Sequence, residues 1–395
     1  MTGKLERRLA DELVALDEAS IMRTYARLPA AFVRGEGATL YDADGESYLD
    51  FFAGLAVCNA GHCHPRVVEA IREQAGKLIH VSNFFLTEPP VKLAERLAGT
   101  LGPGARVFLA NSGAEANEAA IKLARKRRRG GEIVVLTDGF HGRTMGALSA
   151  TPQETKQEPF APLVPGFVAV PRDDAAAMRA AIGETTAAVM IEPVQGECGV
   201  WPIADEVLEA ARDACDRTGA LLIFDEVQCG MGRTGTLWAF EQTPVVPDVF
   251  TSAKALAGGL PIGACVAGES AAGVLEPGDH GSTFGGGPVV AAAALATLDV
   301  IDDPELLARV RALGERLRSG LESLRERGKV AAVRVRGLMA AADLHEPAAA
   351  DVVRHALEER IVLNSTGPVT LRFVPPLVIG EAEVDRVLAF LEEAL

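Results

Sequence analysis

The sequence predicts an α/β protein: a large domain with a mostly parallel sheet flanked by helices, plus a smaller α+β domain. Three observations carry this. From about residue 105, short apolar runs at 107–110, 133–136, 188–191, 221–224 and 249–252 alternate with alanine-rich helical stretches, notably 115–128 and 204–217. Strands separated by helices return side by side, giving a parallel sheet with helices on both faces. Beyond Pro304 the pattern changes to short strands at 332–335, 338–343 and 370–374 between charged helices. Finally, 395 residues exceed what a single core usually serves, about 250–300 residues.

The elements follow in order. Leu5, Leu9, Leu13 and Leu16 recur at helical spacing near the N-terminus. Asp11, Glu12, Asp17 and Glu18 argue against a transit peptide or a membrane-surface helix. The expectation is an amphipathic helix packed on the body or on a second subunit. Residues 35–51 hold two turn signals around short β pieces, and the glycine-rich stretch 53–65 ends in Pro65. Val67 to Leu78 has helical periodicity. After the glycines at 285–287, Pro288 to Val300 reads as a linking helix, followed by helices to about Arg327, at 349–360 and at 381–394. The expected division is an N-terminal segment 1–50 joining the small domain, a large domain 51–285, and a C-terminal small domain 286–395. The basic run Ala124–Arg129 sits at a helix end, where positive charge complements the helix dipole, and reads as solvated.

A formal net charge of −15 disfavours nucleic acid and anionic membranes as partners. No run of about 18 apolar residues is present, so no transmembrane helix is expected. Cysteines at 58, 63, 198, 215, 229 and 265 form no CxxC pair, which suggests reduced thiols in a cytosolic protein. His62 and His64 beside Cys58 and Cys63 resemble a metal cluster, but no second ligand group has matching spacing. A turn closed by Pro65 is the better reading, and no metal is expected.

Each core strand is followed by polar residues: Asn111-Ser112, Asp138, Glu192, Asp225 and Lys254. Ligands of open α/β sheets bind at the carboxyl ends of strands. A strand ending in Asp225 beside one delivering Lys254 suits pyridoxal 5'-phosphate. That cofactor needs a lysine to hold it and an acid to keep its ring nitrogen protonated. Ser112-Gly113-Ala114-Glu115 is a capping-box pattern opening a helix, and free N–H groups there bind phosphate. Phe140 could stack on a flat ring and Arg143 clamp a carboxylate; the same residues read equally as a core phenylalanine and a surface arginine. Glu192 and Glu197 place two carboxylates at one sheet edge, and Ser282 and Thr283 bring hydroxyls after a long loop.

Together, "GHCHP" from 61, "NSGAEANEAAIKLAR" from 111, "FHGRT" from 140, "EPVQGE" from 192, "FDEVQCGMGRTG" from 224, "AKALAGGLPIGA" from 253, "HGSTFGGGP" from 280 and "LRFVPPLVI" from 371 resemble one family. It is the class III aminotransferases of pyridoxal-phosphate fold type I, and within them the acetylornithine aminotransferases. The resemblance runs from about residue 20 to the C-terminus. Ornithine and 4-aminobutyrate aminotransferases share most of these strings, so the class is better marked than the substrate.

The resemblance implies the roles. Lys254 would hold the cofactor and move a proton, and Asp225 would pair with the pyridine nitrogen. Val227 and Phe140 would flank the ring, with Gln228 near its hydroxyl. Ser112, Gly113 and Ala114 would hold the phosphate, and Thr283 would reach the phosphate in the neighbouring subunit of a homodimer with shared sites. Arg143 and Ser282 would contact substrate. Glu197 would mask Arg372 while the amino donor is bound and release it for 2-oxoglutarate. The implied reaction is transfer of the δ-amino group of N2-acetylornithine to 2-oxoglutarate in the cytoplasm. The alternatives are another ω-aminotransferase, an aminomutase or a non-catalytic scaffold. Two departures from the family pattern bear on specificity: Gly287 where many relatives carry asparagine, and Cys58-Asn59 in place of asparagine and a small apolar residue.

Overall fold

The computed structural model describes residues 3–395, with side chains from residue 10 onward. Its centre is a seven-stranded sheet. In spatial order the strands are Arg106–Ala110, Gly263–Ala267, Val249–Ser252, Leu221–Asp225, Thr186–Ile191, Glu132–Leu136 and Phe167–Val170. The last five pair in parallel. Thr186–Ile191 and Leu221–Asp225 are buried at every residue, as expected of strands covered by helices on both faces. Gly113–Arg127 and Asp205–Thr218 supply much of that cover.

The five predicted core strands all form, each within two residues of the expected bounds. Two strands escaped the sequence reading. Phe167–Val170 is a half-exposed edge strand with little apolar contrast. Gly263–Ala267 runs antiparallel to both neighbours, through a stretch too rich in glycine and alanine to look like a strand.

Two four-stranded sheets accompany the large one, besides the short pair Val194–Gln195 and Trp201–Pro202. Phe32–Glu36, Thr39–Asp42 and Ser47–Asp50 form an antiparallel meander, joined in parallel by Ile361–Val362. Ala332–Arg336, Met339–Asp343, Thr370–Phe373 and Asn364–Ser365 form the other. Strand Ser47–Asp50 thus ties residues before 51 to the C-terminal portion. The long helix Pro288–Ile301 packs on Pro65–Lys77 and Glu88–Ala98.

Two expectations change in detail. The N-terminal helix forms as Gly3–Ser20, but Leu13 and Leu16 are exposed, so they do not pack on the body of their own chain. The Leu5 and Leu9 side chains lie outside the described residues. The basic run is no free, solvated end: Arg125 bonds the Pro165 carbonyl, Lys126 pairs with Glu276 and Asp279, and Arg128 reaches the carbonyls of Thr186 and Thr218. These contacts tie the helix end to neighbouring segments of the chain. In the His62 turn, His62 Nε2 lies 2.7 Å from Asp50 Oδ2 and His64 caps the next helix. All six cysteines are free thiols. Among the described residues no His, Cys, Asp or Glu group could hold a metal, and no helix is long and apolar enough to cross a membrane.

Candidate active site

The Leu221–Asp225 and Val249–Ser252 strands lie side by side and end at the same edge of the sheet. Lys254 is the second residue after its strand, at φ +43°. A left-handed conformation costs a non-glycine residue about 1–3 kcal/mol, and survives where the surroundings hold it. Here Ala253, Ala255 and Leu256 are buried on either side. The bend brings Lys254 into a cavity of about 250 Å³ together with Asp225, Phe140, Arg143, Val227, Gln228 and Glu197. Burial lowers the affinity of the Lys254 amine for its proton, with Arg372 reinforcing this and Glu197 opposing it.

Asp225 sits in a cage of donors. Its Oδ2 accepts from Asn117 Nδ2 and faces His141 Nδ1, both at 2.8 Å, and its Oδ1 accepts from the Val227 N–H at 3.0 Å. Asn117 is itself fixed, donating to the His141 carbonyl at 2.6 Å and accepting from Thr251 Oγ1 at 2.7 Å. Burial disfavours the charged imidazole of His141, but the bond to Asp225 and its charge prevail and raise its pKa. Asn117 and His141 are part of the site and were not singled out in the sequence. Asn117 lies one helical turn inside "NSGAEAN", and His141 is hidden between Phe140 and Arg143 in a motif read for its neighbours.

Glu192 is buried and accepts from the Phe140 N–H at 2.8 Å, so it anchors the loop that carries the aromatic ring. Burial raises its pKa, with His141 opposing. Glu226, next to Asp225, turns away from the cavity: it accepts from the N–H groups of Ala239 and Phe240, both at 2.8 Å, and burial pushes it up to about 7.

Glu197 and Arg372 meet, as the sequence led us to expect. Arg372 Nη1 donates to Glu197 Oε1 at 2.7 Å and to the Gly196 carbonyl at 3.1 Å. Asn364 Oδ1 accepts from Nε and Nη2 of the same guanidinium at 3.0 and 2.6 Å. Gln228 bridges the pair, donating to Glu197 at 3.0 Å and accepting from Arg372 at 3.3 Å. Burial works against charge on Glu197, yet Arg372, Lys254 and these bonds hold it down to about 2.

Ser112 caps the Gly113–Arg127 helix, accepting from the Glu115 N–H at 3.2 Å. Gly113 and Ala114 line the cavity at the first helical turn, whose leading N–H groups have no partner within the helix. A Cβ on Gly113 would come within 2.7 Å of Val227 Cγ1, so only glycine lets the turn approach that closely. Ser282 and Thr283 do not line this cavity. Ser282 Oγ accepts from Asn111 Nδ2 at 2.9 Å and from the Gly285 N–H at 3.0 Å, and Thr283 is exposed.

The donor set fits pyridoxal phosphate. Among the described residues the Lys254 amine has no hydrogen-bond partner, a carboxyl fixed by its neighbours stands at Asp225, and a branched and an aromatic side chain line the space. The helix start provides an anion site at the other end.

Comparison with known proteins agrees. The profile of the family "Aminotransferase class-III" matches residues 20–395. An acetylornithine aminotransferase of Methanocaldococcus jannaschii is 48% identical over 96% of this chain and 97% of its own length. One from Gloeobacter violaceus is 50% identical over 95% of each chain. Among solved structures, ornithine aminotransferase from Toxoplasma gondii superposes with a TM-score of 0.92 at 32% identity, covering 98% of this chain and 95% of its own. A second structure of the Toxoplasma gondii enzyme, similar to this chain with a TM-score of 0.92 at 33% identity over 98% of this chain and 93% of its own, carries pyridoxal phosphate at partial occupancy in its active site. With a profile match over nearly the whole length and relatives near 50% identity, this chain belongs to the class III aminotransferase family.

Proposed function

We propose that this aminotransferase moves the δ-amino group of N2-acetylornithine to 2-oxoglutarate, giving N-acetylglutamate 5-semialdehyde and glutamate, as in arginine biosynthesis. The observation that carries the choice of donor is the similarity to acetylornithine aminotransferases at 45–50% identity over nearly the whole chain. Ornithine is the second reading, supported by close superposition on an ornithine enzyme, but at a lower identity of 32%.

Bound in the cavity, pyridoxal phosphate supplies an electron-withdrawing protonated ring, which makes removal of a proton from the amine-bearing carbon feasible. In our reading Lys254 would hold the cofactor covalently and, once the donor's amine has displaced it, carry that proton with an amine whose basicity burial has lowered. Asp225, fixed in place by Asn117 and His141, would pair with the protonated ring nitrogen. Val227 and Phe140 would flank the ring, Gln228 would stand near its hydroxyl, and Ser112, Gly113 and Ala114 would receive the phosphate. Arg143, with no ion-pair partner among the described residues, takes the substrate carboxylate.

Glu197 and Arg372 let one pocket serve two substrates. While paired, they present no net charge to the uncharged part of the donor. When the oxoacid arrives, its second carboxylate replaces Glu197 on Arg372. An arginine neutralised by a partner costs less to bury than one left alone.

Thr283 and Ser282, outside their own cavity, serve the site of a second subunit in this reading, and the enzyme is a homodimer in the cytoplasm. Exposed Phe84, Phe85, Leu86 and Phe284 near that loop support an interface there. Residues 51–285 act as the cofactor-binding domain, with 1–50 and 286–395 forming the smaller one. Steady-state assay of aldehyde formation tests the donor: N-acetylornithine should give the highest kcat/KM, and a higher value with ornithine or 4-aminobutyrate would overturn the assignment.

A further inference from the structure

Lys156 is a charged residue that no role above uses. It sits on the short helix Glu154–Gln157, beyond the loop carrying Phe140 and Arg143. Its Nζ lies 5.7 Å from the centre of the Phe140 ring, and the Arg143 guanidinium lies 5.6 Å from the same ring. Phe140 and Arg143 both line the cavity. Two cations therefore share one aromatic ring at the edge of the site.

The lysine is held there by a neutral partner. Lys156 donates to the Gln153 side-chain carbonyl. The Gln153 amide is in turn fixed by 3.0 Å bonds to the carbonyls of Asp138 and Gly139, which lead directly into Phe140. Among the described residues, neither Lys156 nor Arg143 has a carboxylate within ion-pair distance. Glu197, the carboxylate of this part of the cavity, is occupied by Arg372 and Gln228. Burial lowers the Lys156 pKa and the Arg143 charge lowers it further, with Glu197 opposing. Two like charges held together without a counter-ion fit an anion brought by the substrate.

The chemistry of the donor then matters. In a free amino acid the α-ammonium is one bond from the carbon carrying the carboxylate, so cations that reach the carboxylate also face the ammonium. Acylation removes that positive charge and leaves the carboxylate. We infer that Lys156 is a specificity-determining residue, which with Arg143 receives the donor's carboxylate and selects ω-amines whose α-nitrogen is acylated. Selection arises from repulsion of the wrong donor as well as attraction of the right one. The inference rests on the reading of the donor given above.

The test uses the cofactor-loaded enzyme with Lys156→Met, Lys156→Gln and Lys156→Arg. N-acetylornithine and ornithine are varied against saturating 2-oxoglutarate, and the visible cofactor band of each variant checks loading. Lys156→Met and Lys156→Gln should lower kcat/KM for N-acetylornithine by about tenfold, chiefly through KM. The value for ornithine should stay level or rise, because loss of attraction and loss of repulsion offset. Lys156→Arg should keep the preference. Loaded variants whose preference stays within about twofold of the parent overturn the inference. A parent enzyme that prefers ornithine overturns the donor reading instead, and is seen before any variant is made.

Discussion

Replacing Glu197 by glutamine removes the charge that neutralises Arg372 while keeping the volume. The Arg372 side chain is 2% exposed and that of Glu197 22%, so solvent screens the pair little. Arg372 keeps Asn364, the Gly196 carbonyl and Gln228, all neutral acceptors. Burial opposes the Glu197 charge, yet Arg372 and Lys254 bring its pKa from 4.5 to about 2. That difference corresponds to about 3 kcal/mol of stability. A depressed carboxyl contributes this fully above pH 4.5 and loses it as pH falls toward 2. Urea unfolding of the holoenzyme at fixed protein concentration should show Glu197→Gln about 2–4 kcal/mol less stable at pH 7. Its stability should also fall less steeply than the parent's between roughly pH 5 and 3. In turnover, KM for 2-oxoglutarate should drop, because no carboxylate competes for Arg372, while the donor half-reaction slows. A variant with parental stability and parental acid sensitivity would refute the pairing argument, whatever its kinetics.

Three further changes probe separate parts of the site. His141→Ala removes one donor from Asp225 and should weaken cofactor binding about tenfold or more, read by titrating pyridoxal phosphate into apoprotein. Gly196→Ala places a Cβ 1.8 Å from Gln228 Oε1 and should push Gln228 off the Glu197–Arg372 pair, lowering kcat by about 10²-fold in a folded protein. Asn59→Ala takes the side-chain acceptor from buried Arg233 and the donor from the Met231 carbonyl, and should cost about 2–4 kcal/mol in urea unfolding.

The strand ends that meet at the cavity were legible because polar residues follow the apolar runs directly in sequence. An apolar run stops at Asp225, and another delivers Lys254 with a two-glycine signal after it. The helices at 288–300 and 381–394 were legible from periodicity and emerged as Pro288–Ile301 and Glu381–Ala394. What the sequence hid is what depends on three-dimensional approach. Asn117, His141 and Thr251 lie 24 to 134 positions apart, and only the fold gathers them around Asp225, Thr251 by way of Asn117. Lys156 reaches Phe140 across a turn with no distinctive motif. The antiparallel Gly263–Ala267 strand is all small residues save Val266, so composition gave no strand signal. Asn59, noted as a departure from the family pattern, proves to be a buried partner of Arg233. Gly287, the other departure, precedes the linking helix as its N-cap.

The most direct test of the account is a half-reaction on purified, pyridoxal-phosphate-loaded enzyme. Each amine is added alone, without oxoacid, and the visible cofactor band is followed by stopped-flow absorption. The account predicts that N-acetylornithine bleaches the band fastest, and that Lys254→Ala shows neither the parental band nor this bleaching. Faster bleaching by free ornithine or 4-aminobutyrate would contradict the proposed donor. A Lys254→Ala enzyme that keeps the band and the rate would contradict the proposed chemistry itself.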